Sequence, residues 1–186
     1  MVMKKRVKKK LRRDKILRKA VLCFLIREHH GVEQVCLAKK SEGKEERKIG
    51  EGCRNGYGGG IEKGENEKDA VLRELWQEAK VVARASRLVK MGMGYFDNET
   101  GGGHSFTCRV SIFTLRTWEG VPTASDEMLD PEWYSLDQLP FEELMAADVT
   151  WLPLLLSGKK IIVHANYASG QMALLSPLRI IRVKSF

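Results

Sequence analysis

An α/β fold, with a mixed β-sheet sandwiched between α-helices, is predicted by three features of this chain. Short runs rich in Val, Leu, Ile and Cys alternate with segments of helical period, as at Ala20–Arg27, Glu33–Lys40 and Glu67–Val82. The spacing lacks the regular βαβ alternation that a wholly parallel sheet requires. A length of 186 residues, 30% of them charged and 43% hydrophobic, suits one domain with a sizeable core.

Residues 1 to 19 hold eleven Lys/Arg against Asp14 alone and read as a basic arm, flexible or helical near Leu11–Leu17. The domain proper is expected over 20–186. There, 21 basic residues face 23 acidic ones, so the net charge of +8 belongs to the arm. His29-His30-Gly31 predicts a hairpin turn between the first two strands, and Ser41 to Arg54 a polar loop. Over Glu67–Val82, Val71, Leu72, Leu75, Ala79 and Val82 share one helix side, and Asn66 is placed to cap the start. Strands follow at Leu88–Phe96 and Phe106–Trp118, joined by a hairpin through Gly101-Gly102-Gly103. A strand at Glu132–Ser135, helices at Leu136–Ala146 and Trp151–Leu156, and strands at Lys160–Ala165 and Gln171–Val183 complete the expected order.

The longest apolar run, Ala20 to Ile26, has seven residues, well short of the roughly 18 that cross a bilayer. No membrane span is expected, and the run lacks the cleavage site of a secretory signal. Cys23, Cys36, Cys53 and Cys108 show no zinc-ligand spacing; free thiols and a cytoplasmic setting are expected.

The chemistry concentrates in Gly56 to Val81. Four of the first five residues there are glycine, so backbone can pass close to a ligand. Ten residues later begins a helix on which Glu74 and Glu78, four apart, share one face with Gln77 beside them and Glu65 just ahead. Paired carboxylates repel, and Arg73 can answer only one of them. A divalent cation is the natural counterion. Oxygen ligands with no His or Cys nearby favour Mg²⁺ or Mn²⁺.

Gly59, Glu65, Arg73-Glu74-Leu75, Gln77-Glu78 and Val81 fall in the order and spacing of the Nudix box, G-x5-E-x7-R-E-U-x-E-E-x-G-U, which this segment resembles. Gln77 stands where the box has its first paired Glu, and Lys80 where it has its late glycine. The resemblance extends over about residues 20 to 185, and within the family it is nearest the MutT-type enzymes that hydrolyse oxidised purine nucleoside triphosphates such as 8-oxo-dGTP. It is carried by Leu37-Ala38-Lys39-Lys40, Asn55-Gly56-Tyr57-Gly58-Gly59, Ser125-Asp126-Glu127-Met128, Trp133 to Phe141 and Asp148 to Leu156.

The resemblance implies a Nudix fold and Mg²⁺-dependent release of pyrophosphate and a nucleoside monophosphate. Glu74, Glu78, Glu127, Gln77 and Gly58 would surround the metal, and Glu74, Glu78, Glu127 and Arg73 would carry catalysis. Asn55 and Asp148 would read the purine edge and Lys39 would lie near the phosphates. Met145 would take the place of a stacking tryptophan, with Gly59 and Gly60 close to the substrate. Ala147 and Arg54 stand where the animal enzymes have an aspartate and a tryptophan. Two alternatives keep the fold: a hydrolase of another nucleoside diphosphate derivative, such as an RNA cap or a dinucleoside polyphosphate, and a non-catalytic nucleotide- or RNA-binding module. A monomer is expected, and nucleic acid, though within reach of the basic arm, is not the expected partner.

Overall fold

In the computed structural model, residues 16–42, 49–99, 105–168 and 173–186 are described. Strand β1 (Ile16–His29) begins four residues before the expected domain edge at Ala20. Most of the arm, including the start of its expected helix, lies outside the described residues; Ile16 and Leu17 are strand. β1 turns into β2 (Val32–Lys40) through His30 and Gly31, at φ 51° and 77°. Two consecutive positive φ values make the tight hairpin turn whose twist suits paired strands, and His-Gly supplies it at one glycine.

β1 and β2 pair from Leu25↔Cys36 to His29↔Val32. Beyond that, the segment 53–61 bonds to both. β3 (Arg54–Asn55) pairs with Ala38 and Lys39 of β2, after which Tyr57 exchanges backbone bonds with Cys23 of β1 and the Gly59 carbonyl accepts from the Val21 N–H. The glycine-rich stretch is thereby laid along the sheet. A Cβ on Gly58 would collide with the backbone of Val21 and Leu22, so the close approach there requires glycine.

Helix α1 (Glu67–Ala79) starts where predicted: Asn66 Oδ1 accepts from the backbone N–H of Lys68 and Asp69, both at 3.0 Å. It ends three residues earlier than the expected Val82. Lys80 sits in the left-handed region (φ 58°, ψ 30°), and its N–H reaches the carbonyls of Leu75 and Trp76. The helix therefore closes as a glycine would close it, at a cost of about 1 kcal/mol for the Cβ.

β4 (Val89–Glu99) and β5 (Ser105–Leu115) pair antiparallel, with the triple glycine between them outside the described residues. β6 (Met128–Ser135) is twice the length expected. Asp130 at φ 46° followed by Pro131 reads as a break in sequence, yet pairing with β2 continues on both sides. The helix expected over Leu136–Ala146 is a correction. Only one 3₁₀ turn forms, Phe141–Glu143, because Pro140 cannot donate and Leu144 returns to extended backbone. Helix α2 (Asp148–Leu156), β7 (Lys160–Tyr167) and β8 (Arg179–Val183) finish the chain. The expected last strand thus shortens to its final five residues.

The sheet runs β3-β2-β1-β5-β4-β7-β8, with β6 also on β2. β1/β5 and β4/β7 are parallel and the other pairs antiparallel, giving the mixed sheet. Side chains alternate along β1: Val21, Cys23 and Leu25 pack with Val71, Leu75 and Ala79 of α1, while Leu22, Phe24 and Ile26 pack with Trp151, Leu152 and Leu155 of α2. Two cores on opposite faces produce the predicted α/β/α sandwich. All four cysteines are free, and three are buried.

Candidate active site

The buried stripe of α1 fixes the helix on the sheet, and its period then aims Glu74 and Glu78 at the glycine-rich segment. Both carboxylates are largely buried. Glu78 Oε2 accepts from the N–H of Gly58 at 2.8 Å. A Cβ on Gly59 would overlap the Glu74 carboxylate. Glu74, Gln77 and Glu78 line one cleft of about 330 Å³ with Lys80, Ser125, Asp126 and Glu127. Residues from two distant stretches of sequence therefore line one cleft.

Arg73 organises the other side. It donates to Glu65 at 2.9 and 3.0 Å, to Glu74 Oε1 at 2.8 Å, to Gln77 Oε1 at 3.1 Å and to the Gly60 carbonyl at 2.8 Å. Hydrogen bonding to Glu65 holds the guanidinium above its ordinary range, and the same contacts hold the Glu65 carboxyl below its own. Glu74 is thus oriented by a cation. Glu78 has no ion-pair partner among the described residues. Burial first, then the charges of Glu74 and Glu127, push its carboxyl up to about 7 against the opposing Gly58 hydrogen bond.

Among the described residues, no three His, Cys, Asp or Glu side chains cage a metal by themselves. That suits a small hard cation held by one or two carboxylates, with waters and substrate phosphates completing its shell. The donor set is all oxygen, and the buried, unpaired Glu78 needs positive charge. The residues present therefore fit Mg²⁺ or Mn²⁺.

Gly59→Ala tests how tightly this cradle is built. The colliding atoms belong to a side chain, so the fold should persist with little change in Tm. Displacing Glu74 should lower Mg²⁺-dependent turnover at least about tenfold. A variant with parental turnover would show that Glu74 does not need its observed position.

The expected base-reading residues lie on a second group of elements. Asn55 is on β3, its Oδ1 accepting from the Gly56 N–H at 2.8 Å. Lys39 pairs with Arg54 across the β2–β3 ladder. Asp148 opens α2, fully buried, and accepts from Trp151 Nε1 at 2.8 Å. Met145 is half-buried and places its sulfur over Gly50. Among the described residues, no side-chain hydrogen bond or ion pair joins this group to the carboxylate cleft.

Sequence reasoning missed what Arg54 does. Its buried guanidinium donates to Glu143 at 3.0 Å, to Glu132 at 2.7 Å and to the Asp130 carbonyl at 2.8 Å, tying β3 to β6 and to the 3₁₀ turn beside Asn55. Arg54 thus serves as an ionic brace among these elements. Its partners are 76 to 89 positions away, and no local signal announces them.

A mixed sheet that lays glycine backbone against a helix-borne pair of carboxylates defines an enzyme that cleaves polyphosphates with the help of a divalent cation. The chain belongs to the Nudix family: the profile of the NUDIX domain matches residues 16–155. It is 36% identical over 137 residues to the oxidized purine nucleoside triphosphate hydrolase of Mus musculus, covering 74% of this chain and 84% of that protein. The Danio rerio protein of the same name is 35% identical over 125 residues, covering 67% and 76%. Among solved structures, a MutT protein from Bacillus halodurans superposes with a TM-score of 0.66 at 22% identity, covering 88% of this chain and 97% of that one. This last likeness concerns the fold.

Proposed function

We propose that this chain hydrolyses oxidised purine nucleoside triphosphates, of the 8-oxo-dGTP kind, to the monophosphate and pyrophosphate, using Mg²⁺ and accepting Mn²⁺. The observation that carries the reading is the cleft lined by Glu74, Gln77, Glu78 and Glu127. When bound, the cation supplies charge neutralisation at the phosphate oxygens and a more acidic water. Glu74 and Glu78 would hold it, with neutral oxygens from Gln77 and Gly58. Arg73 keeps Glu74 in place through its bonds to Glu65 and the Gly60 carbonyl. Glu78, or Glu127 from its loop, takes the proton of the attacking water.

The names of the mouse and zebrafish relatives support a purine triphosphate substrate. Asn55 and Asp148 offer an amide and a carboxyl group to the purine edge. Lys39 stands toward the phosphates, Met145 forms an apolar wall, and Gly59 and Gly60 leave room for the triphosphate. The chain acts as a monomer in the cytoplasm. A panel of normal and oxidised triphosphates, assayed for pyrophosphate with Mg²⁺, tests the reading. Oxidised purines should exceed their normal counterparts at least about tenfold in kcat/KM. Equal values, or faster cleavage of a dinucleoside polyphosphate, would overturn it.

A further inference from the structure

The strand register aligns five side chains in one row across the sheet. Lys19 of β1 pairs with Arg109 of β5, Arg109 with Tyr95 of β4, Tyr95 with His164 of β7, and His164 with Arg179 of β8. Direct cross-strand partners point to the same face. Tyr95 and His164 stack, their ring centroids 4.9 Å apart and their planes within 9°. Lys19, His164 and Arg179 are exposed, and Tyr95 and Arg109 half-buried. Thr107, Asp97 and Asn166 form a polar row beside them, and a cleft of about 440 Å³ opens over the Tyr95–His164 end.

The row is costly as it stands. Lys19 and Arg109 are like charges in direct opposition, which destabilises a sheet. The nearest acid to Arg109 is Glu67, at 3.9 Å, and its Nε is buried with no hydrogen-bond partner. Protection of a sheet edge accounts for Arg179 on the outermost strand but not for cations on β1 and β5, which lie inside the sheet. Charge is also segregated along the chain. Residues 149–186 hold five Lys/Arg and no Asp/Glu, and nine more Lys/Arg in residues 1–15 lead into β1 just ahead of Lys19.

We propose that this row is a binding platform for single-stranded nucleic acid. Lys19, Arg109 and Arg179 would contact phosphates, and the stacked Tyr95–His164 pair would receive a base. Five strands span about 19 Å, a length suited to roughly four nucleotides. The platform is separate from the Glu74–Glu78 cleft and does not rest on the triphosphate reading.

Fluorescence anisotropy with labelled 12-nucleotide single strands, RNA and DNA, tests it on the full chain. The double variant Lys19→Glu, Arg179→Glu should weaken binding at least about tenfold and reduce the salt slope by about 1.4. His164→Ala should weaken binding about fivefold for a normal strand and leave an abasic strand unaffected. Arg84→Glu with Arg87→Glu, exposed residues outside the row, should change affinity little. Triphosphate turnover should be unchanged in all of them. Unaltered affinity in the row variants would assign binding to residues 1–15 and overturn the platform. So would an equal loss in the Arg84/Arg87 control, equal affinity for a 12-base-pair duplex, stronger capture by anionic phospholipid vesicles, or no binding at all.

Discussion

Glu78→Gln is expected to fold like the parent and to lose about three orders of magnitude in kcat for pyrophosphate release. The amide is nearly isosteric, and its oxygen can still accept from the Gly58 N–H. Only the charge is removed. That charge is buried and has no ion-pair partner among the described residues, so its loss should leave Tm unchanged or raise it. Its proposed contribution is to attract the cation and accept a proton, two effects that together are worth about 10³ in rate. Calorimetric titration should show Mg²⁺ uptake weakened alongside turnover. Turnover within about tenfold of the parent, with metal binding intact, would remove Glu78 from the centre of the site.

Glu78 was legible in sequence because one helix carries it with Glu74, Arg73 and the Asn66 cap, and helical spacing alone places them on one face. The hairpin at His30-Gly31 and the alternating faces of β1 were legible for the same reason, since each depends on neighbours within a few residues. What escaped were features whose cause is distant. Asp130-Pro131 looks like the end of a strand, but β2 pairs with both sides of it across a one-residue shift in register. Leu136–Ala146 contains enough apolar residues for a helix, and Pro140 prevents one. Arg54 gains its meaning from Glu132 and Glu143, which the fold brings together. The row from Lys19 to Arg179 is assembled from five strands by register and has no trace in any single segment.

Asp148 shows how a fold can change the chemistry of a residue whose identity sequence already supplies. Buried at the start of α2 with Trp151 Nε1 as its donor, the carboxyl is pushed up to about 7 by desolvation, against the opposing pull of that hydrogen bond. The folded chain therefore holds a proton on Asp148 that the unfolded chain releases near pH 3.8. Since the native state binds more protons between those values, stability must fall as pH rises from about 4 to about 7, then level off. Three pH units correspond to a cost on the order of 4 kcal/mol at pH 8. Asp148→Asn removes the titration while retaining an oxygen for Trp151. Its unfolding free energy in urea should match the parent near pH 4, exceed it by several kcal/mol at pH 8, and lose the slope between. The parental slope persisting in the variant would mean that another group titrates. Asp148→Ala tests the proposed second role, because it leaves the Trp151 N–H unpaired and removes the carboxyl group proposed to read the purine. KM should rise by about ten- to a hundredfold with kcat nearly unchanged, the pattern of a residue that binds the base and takes no part in cleaving the phosphate.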